Sequence, residues 1–136
     1  MNKQKLNVWG RDFELEVVFD CYEGESVLPV QKEALENFLA KSKIITDEKV
    51  MVSIISDVKA AVVEYCLKRN AEEIGMSTID NIFKYVMPKS LYVQRTTDDS
   101  RVVGLMCAYK FDVDNGIAVV FKNEQFVNVD SQNAIL

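Results

Sequence analysis

The sequence predicts an α+β fold: an antiparallel meander sheet of five to six strands, one long central helix and one or two shorter helices. Three observations carry this. Period-two alternation opens the chain and returns in its last third, apolar residues recur at helical spacing between them, and turn residues separate the final strands at short intervals. At 136 residues the chain has the length of one domain. No repeat, linker or low-complexity tract divides it, so residues 1–136 read as a single unit. Within it lie an N-terminal hairpin over 4–21, a helical region over 28–87 and a C-terminal β-meander over 90–130.

Leu6, Val8 and Trp9 lead to Gly10, after which Phe13, Leu15 and Val17 alternate with Glu14 and Glu16. That pattern marks a half-buried hairpin turning near Gly10. Residues 21–26 carry Glu23, Gly24 and Glu25 and read as a surface connection. Pro29 suits a first helical turn, and Val30, Ala34, Leu35, Phe38 and Leu39 give a helix to about Lys41, with Gln31, Lys32, Glu36 and Asn37 on its polar face. Thr46 is placed to cap a second helix running to Arg69. Its apolar stripe of Met51, Ile54, Ile55, Val58, Ala61, Val62 and Tyr65, widened by Val52, Val63 and Cys66, marks it as the central helix laid on the sheet. Gly75 is placed to stop a helix. Ser77 with Asp80 resembles a capping box for a short helix that Pro88 ends. Strands follow over 91–95, 101–111, 117–121 and 126–129, and Asn115-Gly116 suits a tight type I′ hairpin.

Composition excludes several functions. Lys and Arg number 16 against 21 Asp and Glu, a net charge of −5, which argues against nucleic acid held by phosphate contacts. There is no histidine, so imidazole-dependent hydrolysis and histidine-ligated zinc are ruled out. Cys21, Cys66 and Cys107 have neither disulfide-framework nor thiolate-metal spacing and read as small buried apolar side chains. No apolar run approaches the ~20 residues of a membrane span, and the polar start predicts no signal peptide, so a cytoplasmic, membrane-free protein is expected.

The run Asp112-Val113-Asp114-Asn115-Gly116 suggests a calcium loop, but the glycine falls at the fifth position rather than the sixth and Asn123 stands at the twelfth. A turn is the better reading, with Asp112 bonding across the loop and Asn115-Gly116 closing it. Asp98, Asp99, Asp20, Glu23 and Glu25 have no spacing that selects them as metal ligands over solvated loops, so no cofactor is expected. Arg95 and Arg101, with Lys89 and Lys110, could form an anion-binding corner, against the plainer role of keeping an exposed sheet soluble. Tyr22, Tyr92 and Tyr109 are the aromatic candidates for an interaction surface.

The segments 87–93 (Met-Pro-Lys-Ser-Leu-Tyr-Val), 104–112 (Gly-Leu-Met-Cys-Ala-Tyr-Lys-Phe-Asp), 116–121 (Gly-Ile-Ala-Val-Val-Phe) and 129–132 (Val-Asp-Ser-Gln) resemble a family of small bacterial proteins catalogued as a domain of unknown function. The family's usual hairpin carries an aromatic-Asp pair, two residues, then acidic-His-Gly before the next strand. Here Asp112 and Gly116 match, Asp114 stands at the acidic position, Asn115 replaces the histidine, and Asp130 stands where the family tends to have glycine. The resemblance implies a cytoplasmic bacterial α+β domain with no assigned activity. Without a nucleophile motif or phosphate loop, the sequence reads as a non-catalytic protein-interaction module with an acidic excess suited to a basic partner. A toxin-immunity role is its sharpest version, by analogy. The alternatives are a carboxylate- and metal-dependent hydrolase, and a small-ligand-binding regulatory domain forming a homodimer through a sheet edge.

Overall fold

The structure, a computed structural model, describes residues 3–21, 24–45, 50–76 and 78–135. Six strands form one sheet in chain order: β1 (Lys3–Val8), β2 (Arg11–Phe19), β3 (Val86–Val93), β4 (Val102–Tyr109), β5 (Ile117–Lys122) and β6 (Gln125–Asp130). Two helices, α1 (Pro29–Ile45) and α2 (Val50–Ile74), lie between β2 and β3.

The α+β class holds, but the sheet is mixed. β2 runs parallel to β3, with Val17 opposite Leu91, while every other neighbouring pair is antiparallel. A parallel pair needs a long crossover, and α1 and α2 supply it.

Local chemistry explains the elements. The β1–β2 turn is made by Trp9 (φ 53°) and Gly10 (φ 88°), both at positive φ as a type I′ turn demands. Leu28 precedes α1, and Gln31 reaches back so that its Oε1 accepts the Leu28 N–H at 2.8 Å, half of a capping box. The Gln31 amide then donates to the Asp20 carbonyl (2.9 Å) and the Val93 carbonyl (3.2 Å), tying α1 to β2 and β3. Gln31 therefore belongs to the core, at 1% exposure, and not to a polar helix face. Each of its buried polar atoms is satisfied, which makes that burial tolerable.

α2 presents Val58, Val62 and Cys66 to the core at i, i+4 spacing. The expected N-cap Thr46 and the side chains of Met51, Ile54 and Ile55 lie outside the described residues and side chains. The helix is broken at Asn70 (φ −133°, ψ 38°), one residue beyond its predicted end, and resumes for one turn before Gly75 stops it at φ 71°.

The helix expected before Pro88 is replaced. A single 3₁₀ turn over Ile82–Lys84 is capped by Asn81, whose Oδ1 accepts the Phe83 N–H at 3.1 Å. Ser77 lies outside the described residues. β3 begins at Val86, and Pro88 sits inside it at a register shift between Pro88 and Ser90, where a missing N–H is tolerated.

The helices cover one face of the sheet, over Leu15, Leu91, Val93, Val103, Leu105, Cys107, Ile117 and Val119. The opposite face of β4 and β5 carries Val102, Met106, Ala118 and Val120. Ile135, just past a second 3₁₀ turn over Gln132–Ala134, covers that patch. A Cβ on Gly104 would collide with Ile135 Cδ1, so the glycine makes room for the tail. The Gln94 amide anchors the tail by donating to the Ile135 carbonyl at 3.1 Å.

Candidate functional site

Where α2 breaks, an open pocket of about 270 Å³ lies against the end of β4, lined by Tyr65, Arg69, Asn70, Tyr109, Phe111 and Asp112. The break is built from sequence. Asn70 is a residue whose short amide readily leaves helical geometry. Its Oδ1 accepts the Tyr109 hydroxyl at 2.6 Å, fixing the break to the sheet. The ring of Tyr109 meets Tyr65 at 6.4 Å and Phe111 at 5.6 Å, both edge to face. Phe111 stacks on Tyr85 at 5.6 Å, and Lys110 stands 5.8 Å from each of those two rings.

Arg69 lies over the Tyr65 ring at 4.8 Å and reaches Asp130 at 3.9 Å, a loose pair with both side chains substantially exposed. Burial raises the Tyr65 phenol above its ordinary pKa. Arg69 opposes that rise, and the carboxylates of Asp130 and Asp112 reinforce it. Burial also pushes up the Tyr109 phenol, with Glu73 among the negative groups acting on it, and raises the Cys66 and Cys107 thiols. All four groups are therefore protonated at neutral pH. They offer hydroxyl and apolar contact, and no ready nucleophile.

The Asp112–Gly116 run is a structural loop as well as a pocket edge. Asp112 Oδ1 accepts the Asn115 backbone N–H at 3.2 Å and its side-chain amide at 3.3 Å, as the turn reading required. The loop is longer than a two-residue type I′ hairpin. Gly116 is at φ 56° while Asn115 is not at positive φ, and the Gly116 N–H closes onto the Asp112 carbonyl at 2.8 Å. A Cβ on Gly116 would come within 2.5 Å of the Cys107 carbonyl and 2.7 Å of Gln132 Nε2. Asp114 is exposed to solvent.

Other candidates fall elsewhere. Tyr109 is buried, at 3% exposure, so it is a pocket floor and not the exposed anchor expected of it. Tyr92 is half-buried on the opposite face against the Ile135 cluster, and Tyr22 lies outside the described residues. The anion corner does not form: Arg95 pairs with Glu25 at 2.7 Å, and Arg101 with Glu124 at 2.8 Å and Glu33 at 3.8 Å. Cys21 is half-buried near Arg95, so only two of the three thiols are core residues. Among the described residues no three His, Cys, Asp or Glu side chains are grouped to hold a metal ion, and no helix is long and apolar enough to cross a membrane.

The pocket residues that sequence reasoning missed are Tyr65, Arg69, Asn70 and Phe111. In the sequence Tyr65 falls on the apolar stripe of α2. The available signal was its i, i+4 relation to Arg69 beside a helix-breaking asparagine.

The chain belongs to the DUF6985 family, a domain of unknown function, whose model matches residues 2–136 and so takes in the helical half as well as the β-meander. No curated protein and no solved structure matches it.

Proposed function

We propose that this DUF6985 domain is a non-catalytic recognition module whose pocket at the α2 break receives a cationic side chain of a basic protein partner. The observation that carries the reading is the electrostatic balance of the pocket. Among the described lining residues Arg69 is the cation and Asp112 the anion, while Asp130 pairs loosely with Arg69 and acts on Tyr65, Glu73 acts on Tyr109, and Lys110 stands 5.8 Å from the Phe111 ring. Asp112 Oδ2 has one long contact of 3.4 Å from the Asn115 amide, which leaves acceptor capacity for an incoming guanidinium or ammonium. Tyr65 and Phe111 supply the apolar wall that such a side chain's stem covers. At about 270 Å³ and open to solvent, the pocket suits one side chain better than a larger enclosed ligand, for which ~300–1,000 Å³ is usual.

Charge complementarity also favours fast association of a chain with net charge −5 and a basic partner. A cytoplasmic role in a bacterium, with the basic cleft of a toxin as the partner, is the sharpest form of this proposal. The second reading, a regulatory domain for a small cationic ligand, draws on the same pocket.

The test pairs affinity capture from native extract with a broad hydrolase screen of the purified domain. A stoichiometric protein complex that the Phe111→Ala variant fails to capture, with no turnover, supports recognition. Metal-dependent turnover lost on changing one carboxylate to its amide would sink it.

A further inference from the structure

The chain contains one Asn-Gly pair, Asn115-Gly116. Glycine has no Cβ, so its backbone nitrogen meets the least steric hindrance when it attacks the preceding asparagine side chain. The other asparagines precede residues with side chains. In the fold, both reacting groups of this pair are held. The Gly116 N–H donates to the Asp112 carbonyl at 2.8 Å. The Asn115 side-chain amide donates to the two Asp112 carboxylate oxygens at 3.3 and 3.4 Å, and its Oδ1 accepts from Asn133 Nδ2 at 2.9 Å. The Asn115 carbonyl accepts the Gln132 N–H at 3.1 Å, so the C-terminal turn that leads to Ile135 also fastens this loop.

We propose that Asn115-Gly116 is a fold-gated deamidation site, closed while the tail is docked and opened when it lifts. In the open loop, solvent base removes the Gly116 amide proton. The nitrogen then attacks Asn115 Cγ: the N–Cγ bond forms, the Cγ–Nδ2 bond breaks and ammonia leaves. Water opens the resulting succinimide to aspartate or isoaspartate. The new carboxylate faces Asp112 in place of two amide hydrogens, so attraction becomes repulsion at the edge of the pocket and the loop cannot close as before. The change is one-way and converts a transient opening of the tail into a lasting alteration of the pocket rim.

Peptide mapping by mass spectrometry after incubation at mildly alkaline pH tests this on the full chain. Three samples are compared: folded wild type, folded Asn133→Ala and wild type in denaturant. Conversion at Asn115 is expected to be slowest in folded wild type and fastest in the denatured chain. It should run about fivefold faster in Asn133→Ala than in folded wild type, the factor that one net hydrogen bond sets. Equal rates in folded and denatured wild type would overturn the gate, as would earlier conversion at another asparagine. Equal rates in Asn133→Ala and folded wild type would overturn the role of the tail. The wild-type pair of samples keeps the test decisive even if the variant folds poorly.

Discussion

The two faces of the sheet are closed by very different means. One face lies under α1 and α2 and holds a core that runs from Leu6 and Leu15 through Val58 and Val62 to Ile117 and Val119. The other is closed over β4 and β5 by Ile135, which packs on Val102, Met106, Ala118 and Val120 with Tyr92 beside them. β4 serves both faces and is buried along nearly its whole length. The comparison shows that a strand can be apolar on both sides without a second helical layer, if a short segment reaches the outer patch and a glycine makes room for it. The helix face holds the larger core, and the other face meets the segment whose Gln132 N–H fastens the Asp112–Gly116 loop.

The largest expected effect lies on the helix face. Val58 is 2% exposed, and Val58→Asp buries an unpaired charge, costing on the order of 3 kcal/mol or more in a denaturant melt. On the tail face, Gly104→Val drives a side chain into Ile135. A loss of about 1–3 kcal/mol is expected, because the obstruction is the end of one side chain, Ile135 Cδ1, and not backbone. If Gly104→Val instead proved as damaging as Val58→Asp, the two faces would be equally rigid and the contrast would fail.

Alkaline pH sharpens the contrast on the helix face. The folded Tyr109 phenol and Cys107 thiol both lie above their ordinary values near 10 and 9, chiefly through burial. The unfolded chain therefore releases these protons first. The stability they contribute is complete below pH 9 and is lost as pH rises through the raised folded values. Melting temperature should fall above that pH, and less steeply in Tyr109→Phe, which at neutral pH should cost about 1 kcal/mol for the lost bond to Asn70. The smallest effect belongs to the surface. Lys68–Glu64, 3.0 Å apart and well exposed, should contribute no more than ~0.5 kcal/mol, so Glu64→Gln should melt close to wild type.

Local signals carried most of the element pattern. Alternation marked β1 and β2, Pro29 marked the start of α1, and the Val58–Val62–Cys66 spacing marked the buried side of α2. Long-range features were hidden. The parallel β2–β3 pair depends on how the helices cross over, which no local period encodes. Gln31 read as polar surface because its three partners, Leu28, Asp20 and Val93, meet only in the folded chain. Pro88 read as a helix stop because the bulge that admits it depends on pairing with β4. The pocket was half legible: Asp112 and Tyr109 stood out near the hairpin, whereas Tyr65, Arg69 and Asn70 come from a helix some forty residues away and join them only in the folded chain, through the Tyr109–Asn70 bond and the Tyr65–Tyr109 ring contact.

The most direct measurement of the pocket's proposed role is an NMR titration of the full chain with N-acetyl-arginine amide, with N-acetyl-glutamate amide as the opposite-charge control. The account predicts arginine-dependent shifts concentrated at Tyr65, Arg69, Asn70, Phe111 and Asp112. They should weaken as salt screens the carboxylates, shrink in Asp130→Asn and be absent with the glutamate probe. Arginine shifts scattered over the surface, or equal responses to the two probes, would contradict it.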